Sequence, residues 1–153
     1  MNLKDIYNQL ILDHYKNSYN KDKILPDAHS VHSANNNCGD SVTLHFTIEP
    51  TGECIEEVSF EAEGCVICQA SASVLMQTVE GKNLAETLKI IRTLKQLLSE
   101  DLHSEDDTKA DTQTNDQGSD FRALSYINAY PTRKQCVLLS WEAMEEKVKE
   151  LMD

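Results

Sequence analysis

The order of patterns along this 153-residue chain predicts an α+β fold, a small antiparallel sheet packed against helices. Three observations carry that expectation. Leu3, Ile6, Tyr7, Leu10, Ile11 and His14 recur at steps of three and four, the period of one helical face. Val42, Leu44, Phe46 and Ile48 alternate with Ser41, Thr43, His45 and Thr47, the period of a half-buried strand. Helical patterns then follow the strands in a block, without the β-α-β rhythm of a parallel sheet.

Each element has a local reason. The first helix gives way to a polar stretch, Asn17 to Asn37, with Pro26 and a run of three asparagines, which reads as a long loop. After the alternating strand, Pro50-Thr51-Gly52 is a turn signal, and Ile55, Val58 and Phe60 mark the returning antiparallel strand. Gly64 ends it. Cys65 opens a helix that carries Ala70, Ala72, Val74, Leu75 and Val79 to a Gly81 cap. Asn83 and Glu86 are spaced as a capping box for the next helix, with Leu84, Leu88, Ile91, Leu94 and Leu98 on one face.

The stretch from Ser99 to Asp120 holds eight acidic residues, one lysine and almost nothing apolar. It cannot bury enough surface to offset its ordering entropy, so an exposed, mobile, acidic insertion is expected at about 99–120. From Arg133 the pattern is helical again, with Cys136, Val137, Leu139, Met144, Val148 and Leu151 as inward candidates. The length suits one domain spanning 1–153 with a real hydrophobic core.

Composition narrows the function. Twenty-six acidic against 14 basic residues give a net charge of −12 and a pI near 4.7. Such a surface repels phosphate backbones, so nucleic acid is not an expected partner. No stretch nears the roughly 18 apolar residues of a membrane span, and the N-terminus lacks the apolar run of a signal peptide. A soluble, cytoplasmic protein is expected. Five cysteines, an odd number, argue against a closed disulfide framework and leave core, ligand or reactive roles.

Three of those cysteines stand where a loop or strand feeds a helix or strand: Cys38, Cys65 and Cys136. Asp40 follows Cys38 by two residues, so in an extended segment both face one way. Cys65 is expected in the first turn of its helix, where unpaired N–H groups and the dipole favour a thiolate. Three thiolates and a carboxylate meet the four-ligand tetrahedral demand of zinc, so Cys38, Asp40, Cys65 and Cys136 are the candidate ligands. That donor set stays net negative around Zn²⁺ and gains from a cation. Arg133, three residues before Cys136, is placed to supply one on the same helical face. Cys54 reads as an ordinary strand residue. Cys68 shares a Cys-x-x-Cys spacing with Cys65 but is read as inert helix packing, with ligation the alternative. His14 closes an apolar face and reads as structural; His29, His32 and His45 read as solvated.

Three ordered segments now point to a family. Asn35-Asn36-Asn37-Cys38-Gly39-Asp40, then Gly64-Cys65-Val66-Ile67-Cys68-Gln69-Ala70-Ser71-Ala72-Ser73, then Arg133-Lys134-Gln135-Cys136-Val137-Leu138-Leu139-Ser140-Trp141 resemble the iron–sulfur assembly proteins of the IscU, SufU and NifU N-terminal class. The likeness is strongest to the SufU branch. Scaffold-type members carry His before the third cysteine, where this chain has Gln135, and they lack the long stretch between the second and third segments. Arg133 matches the SufU pattern. The chain departs from the family at Asn36, usually Pro, and at Cys68, usually Ser.

The resemblance implies a SufE/NifU-like fold and a zinc-dependent sulfurtransferase for iron–sulfur cluster assembly. Cys38, Asp40, Cys65 and Cys136 would bind zinc. Cys38 would also receive persulfide sulfur from a SufS-type cysteine desulfurase, a histidine of which takes its place on the metal. Downstream iron–sulfur assembly proteins would receive the sulfur. The alternative is a scaffold on which an iron–sulfur cluster is built and transferred, since soft thiolates suit both. A small structural zinc module is the third reading.

Overall fold

The computed structural model describes residues 3–35, 39–99, 124 and 131–153. In chain order the elements are α1 (Leu3–Lys16), β1 (His29–Asn35), β2 (Asp40–Ile48), β3 (Ile55–Glu63), α2 (Val66–Val79), α3 (Leu84–Ser99) and α4 (Pro131–Met152). The expected α+β class, with an antiparallel sheet packed against helices, is what the chain forms.

The sheet has the order β1-β2-β3, both pairs antiparallel. The alternation in β2 works as expected: Val42, Leu44 and Phe46 turn inward and are fully covered, joined by Val58 and Phe60 from β3. One face of the sheet is therefore the floor of the core. The register slips between Phe46 and Ile48, before the turn at Gly52.

One element was not legible. β1 lies within the stretch expected to be a loop, and its sequence, His-Ser-Val-His-Ser-Ala-Asn, has only one large aliphatic residue, Val31. It is a strand because β2 offers a free edge, with Val31 opposite Leu44 and His29 opposite Phe46, whose rings lie 5.6 Å apart. An edge strand needs little apolar content of its own, since its partner's ladder supplies the hydrogen bonds. The preceding segment covers the other edge. Asp22 N–H donates to the Phe60 carbonyl at 2.8 Å, and Asn20 Nδ2 donates to that of Val58 at 3.0 Å.

α2 is the central helix, buried along most of its length. Its run Ala70-Ser71-Ala72-Ser73 is small enough to let α1 and α4 approach from two sides, and each serine ties down a neighbour. Ser73 Oγ meets His14 Nδ1 and accepts from Tyr19 N–H, both at 2.8 Å. Ser71 Oγ accepts from Trp141 Nε1 at 2.8 Å and donates to the Val137 carbonyl at 2.7 Å. Buried hydroxyls and a buried indole N–H need such partners. His14 is structural, as expected.

The capping box forms: Asn83 Oδ1 accepts from Glu86 N–H at 2.7 Å, and Glu86 Oε1 accepts from Asn83 N–H at 3.3 Å. α4 starts at Pro131, whose missing N–H costs nothing at a first helical position, so Cys136 sits in the second turn. Ser99 closes α3, while residues 100–120 of the acidic insertion lie outside the described residues. Among the described residues no helix is long and apolar enough to cross a membrane.

Candidate metal centre

Three chain segments converge where β2 begins, β3 ends and α4 passes over the sheet. Asp40 is the first residue of β2 and 1% exposed, Cys65 caps α2, and Cys136 on α4 is 1% exposed. One ligand atom from each lies within 4.8 Å of the others, and Cys65 Sγ stands 3.7 Å from Asp40 Oδ2. Cys38 lies outside the described residues, two positions before Asp40 in sequence.

The junction between β3 and α2 makes this convergence possible. Gly64 has φ +123°, a backbone conformation side chains rarely adopt. A Cβ on Gly64 would fall 2.1 Å from Asp40 Oδ1 and 2.8 Å from Asp40 Cα, so the carboxylate occupies the space that glycine leaves. Asp40 Oδ1 in turn accepts the Cys65 N–H at 2.9 Å. On its other side the junction is held by Gln69, whose Nε2 donates to the Gly64 carbonyl at 3.0 Å, while Lys21 Nζ donates to Gln69 Oε1 at 2.7 Å. Asp40 is therefore orientated before any ion arrives.

Cys65 is the N-cap of α2, one step before the first turn in which it was expected. Its backbone is extended (ψ 162°), and its Sγ accepts the Cys68 N–H at 3.4 Å. The thiol thus replaces the usual Ser, Thr, Asp or Asn oxygen at a cap.

Burial, then hydrogen bonding to Asp40 and Cys65, pushes the Cys136 thiol well above the ordinary thiol range. The Cys136 thiol, buried against a carboxylate and a second thiol, resists becoming an anion, and a cation in their midst reverses that. Arg133 answers part of the demand. Its exposed guanidinium hydrogen-bonds to Cys136 and feels the charge of Cys65, and both raise its own pKa.

The donor set fits zinc. With Zn–S of about 2.3 Å and Zn–O of about 2.0–2.2 Å, a sulfur and an oxygen on neighbouring tetrahedral positions sit about 3.5–3.7 Å apart, and the Cys65–Asp40 separation of 3.7 Å is of that size. Thiolates with one carboxylate also suit iron. Asp40, Cys65 and Cys136 would hold the ion, leaving one tetrahedral position for a fourth donor.

The remaining candidates fall elsewhere. Cys68 is fully buried and packs in the core, as expected, outside the three-donor group. Cys54 lies near the hairpin turn, where burial and Glu49, Glu53 and Glu86 raise its pKa. His45 and His32 are not simply solvated: His45 bridges Ser30 at 2.7 Å and Glu61 at 2.9 Å, and His32 meets Thr43 at 2.9 Å. Gln135 lines a groove of about 530 Å³ with Ser33, Asn35, Leu138, Leu139 and Glu142 between α4 and β1. Sequence reasoning missed Lys21 and Gln69. The available signal was a lone Gln one helical turn after Cys65, in a run of otherwise small or apolar residues.

Fold and donor set together define a NifU-like N-terminal domain. Residues 6–137 match that family, and the chain belongs to it. It is 35% identical over 147 residues to the zinc-dependent sulfurtransferase SufU of Bacillus subtilis (strain 168), covering 96% of this chain and 92% of that protein. It is 30% identical over 152 residues to the iron–sulfur cluster assembly scaffold protein IscU of Thermotoga maritima, covering 99% and 98%. A crystal structure from Fervidobacterium islandicum AW-1, described as an iron–sulfur cluster assembly scaffold protein for the SUF system, superposes with a TM-score of 0.72 at 28% identity, covering 93% and 96%.

Proposed function

We propose that this protein is a zinc-dependent sulfurtransferase that accepts persulfide sulfur from a SufS-type cysteine desulfurase and passes it to downstream iron–sulfur assembly proteins. The observation that carries this reading is the Asp40–Cys65–Cys136 group, buried at Asp40 and Cys136 and half-buried at Cys65, with the exposed Arg133 at its rim. The relatives support it, since the SufU of Bacillus subtilis carries that activity in its name.

Cys38 completes the donor set and is the sulfur acceptor. Its thiolate attacks the outer sulfur of the desulfurase persulfide. A new S–S bond forms on Cys38, the persulfide S–S bond breaks, and the desulfurase thiolate leaves. Bound Zn²⁺ would keep the donor thiols deprotonated and clamp three separate chain segments together. Arg133 sits where it can offset the negative charge of the incoming persulfide.

The test is alanine release by a cysteine desulfurase of this type, with and without the zinc-loaded protein. A many-fold rise in turnover that Cys38→Ser abolishes is the expected result. Sulfur acceptance surviving in Cys38→Ser overturns the assignment.

A second reading is a scaffold that builds and transfers an iron–sulfur cluster, favoured by the full-length likeness to the IscU of Thermotoga maritima. Gln135, in place of the His of scaffold-type members, weighs against it. Cluster absorbance after anaerobic reconstitution, transferable to an acceptor apoprotein, would select this reading.

A further inference from the structure

Cys68 is the one feature of the junction that the proposed function leaves idle. It is fully buried, outside the three-donor group, and one helical turn from a candidate ligand. We propose that Cys65 and Cys68 form a reversible dithiol–disulfide pair whose oxidation withdraws Cys65 from the metal centre. The bond itself follows from local geometry alone; its consequence for the metal rests on the function proposed above.

Cys65 is the cap of α2 and Cys68 the third helical residue, the arrangement in which a Cys-x-x-Cys pair supports dithiol chemistry. The extended backbone of Cys65 swings its sulfur over the end of the helix, as the Cys68 N–H to Cys65 Sγ contact at 3.4 Å records. Side chains in a helix lean toward its N-terminus, so Cys68 leans toward that same end. Residues three apart at a helix start are within the Cα separation a disulfide requires.

Accessibility is divided as a redox pair needs. Cys65 is half-buried and meets an oxidant first; Cys68 is sealed in the core and waits as the resolving thiol. Cys136 is the rival partner, its thiol hydrogen-bonding to Cys65 as well, but it is carried by a different helix and also held by Asp40 and Arg133. Cys68 belongs to the same helix end as Cys65 and stays beside it whatever α4 or the metal does.

The oxidant is a hydroperoxide. Cys65 thiolate attacks its O–O bond, giving a sulfenic acid on Cys65 and releasing water or an alcohol. Cys68 sulfur then attacks Cys65 sulfur; the S–O bond breaks, and hydroxide leaves as water with the Cys68 proton. Two thiols are oxidised and one peroxide is reduced. A thiol reductant restores both thiols by exchange.

The test treats the full-length protein, purified with its metal, with one equivalent of hydrogen peroxide. Disulfides are mapped by mass spectrometry after digestion without reduction, and released zinc is read with a chromogenic chelator. The expected product is a bond within the peptide carrying both Cys65 and Cys68, formed together with zinc release and reversed by a thiol reductant. Given a second equivalent of peroxide, Cys68→Ala and Cys68→Ser should release zinc but fail to recover it, because that equivalent carries the unresolved Cys65 sulfenic acid to the sulfinic acid, whereas the parent has already closed its disulfide. Linkage of Cys65 to Cys136 or Cys38 instead, or recovery in both variants as complete as in the parent, overturns the pair. Absence of zinc from the untreated protein overturns the proposed function, and the disulfide map still decides the bond.

Discussion

Two helices of this molecule start within twenty residues of each other and start differently. α3 opens with Asn83 and Glu86 satisfying each other's backbone N–H groups, an arrangement local in sequence and good for stability. α2 opens with no acidic residue in its first turn, a sulfur in place of a cap oxygen, and a buried carboxylate from another strand accepting the cap N–H. The start of α3 makes the helix stable. The start of α2 carries a thiol as its cap, and it depends on residues distant in sequence to hold it. The difference is between a helix end built from its own first turn and one built from residues the fold brings to it.

That contrast can be broken at either end. The largest effect is expected at the donors: Asp40→Ala or Cys65→Ser should weaken zinc binding by more than about a hundredfold, above the loss usual for supporting residues. Isothermal titration against a competing chelator measures it, and unchanged affinity would remove the residue from the ligand set. Chelation should also lower the melting temperature of the parent but hardly that of Cys65→Ser, because only bound metal adds stability.

Next comes Gly64→Ala. Its Cβ has no room beside Asp40 Oδ1, and the positive φ adds strain, so both metal affinity and stability should fall. A variant that keeps its zinc affinity would show that the Asp40 carboxylate is not held by this junction. Gln69→Leu should cost about tenfold in zinc affinity, the scale of an outer support, because the Gly64 carbonyl loses its donor. Lys21→Met should cost less, as it leaves Gln69 in place.

The smallest effects sharpen the comparison. Asn83→Ala should cost about 1 kcal/mol in urea unfolding and leave metal affinity unchanged, the mark of a purely structural cap. Cys65→Ser, compared with the parent with both stripped of metal, should gain up to about 1 kcal/mol, since a hydroxyl caps better than a thiol. A loss there would mean that Cys65 is not traded against stability.

Much of this was legible one residue at a time. The α1 face, the alternation in β2, the Asn83–Glu86 box and the helical start at Cys65 are local signals, each written within a few residues. β1 was not, because a polar edge strand has no pattern of its own and exists through the partner beside it. Gln69 and Lys21 were passed over for the same reason: neither stands out until the Gly64 carbonyl is seen between Gln69 and the candidate metal-binding group.

By itself, then, the sequence determined the types and order of the elements other than β1 and the chemical kinds of donor available, because periodicity, capping and ligand chemistry are properties of short segments. Only the tertiary structure decided that Asp40, Cys65 and Cys136 meet at one point with Arg133 at its edge. Residues 25 positions apart, as Asp40 and Cys65 are, meet through the pairing of β2 with β3, the turn at Gly64 and the packing of α4 on α2. Those distances are set by the whole core, and no local window of the chain contains them.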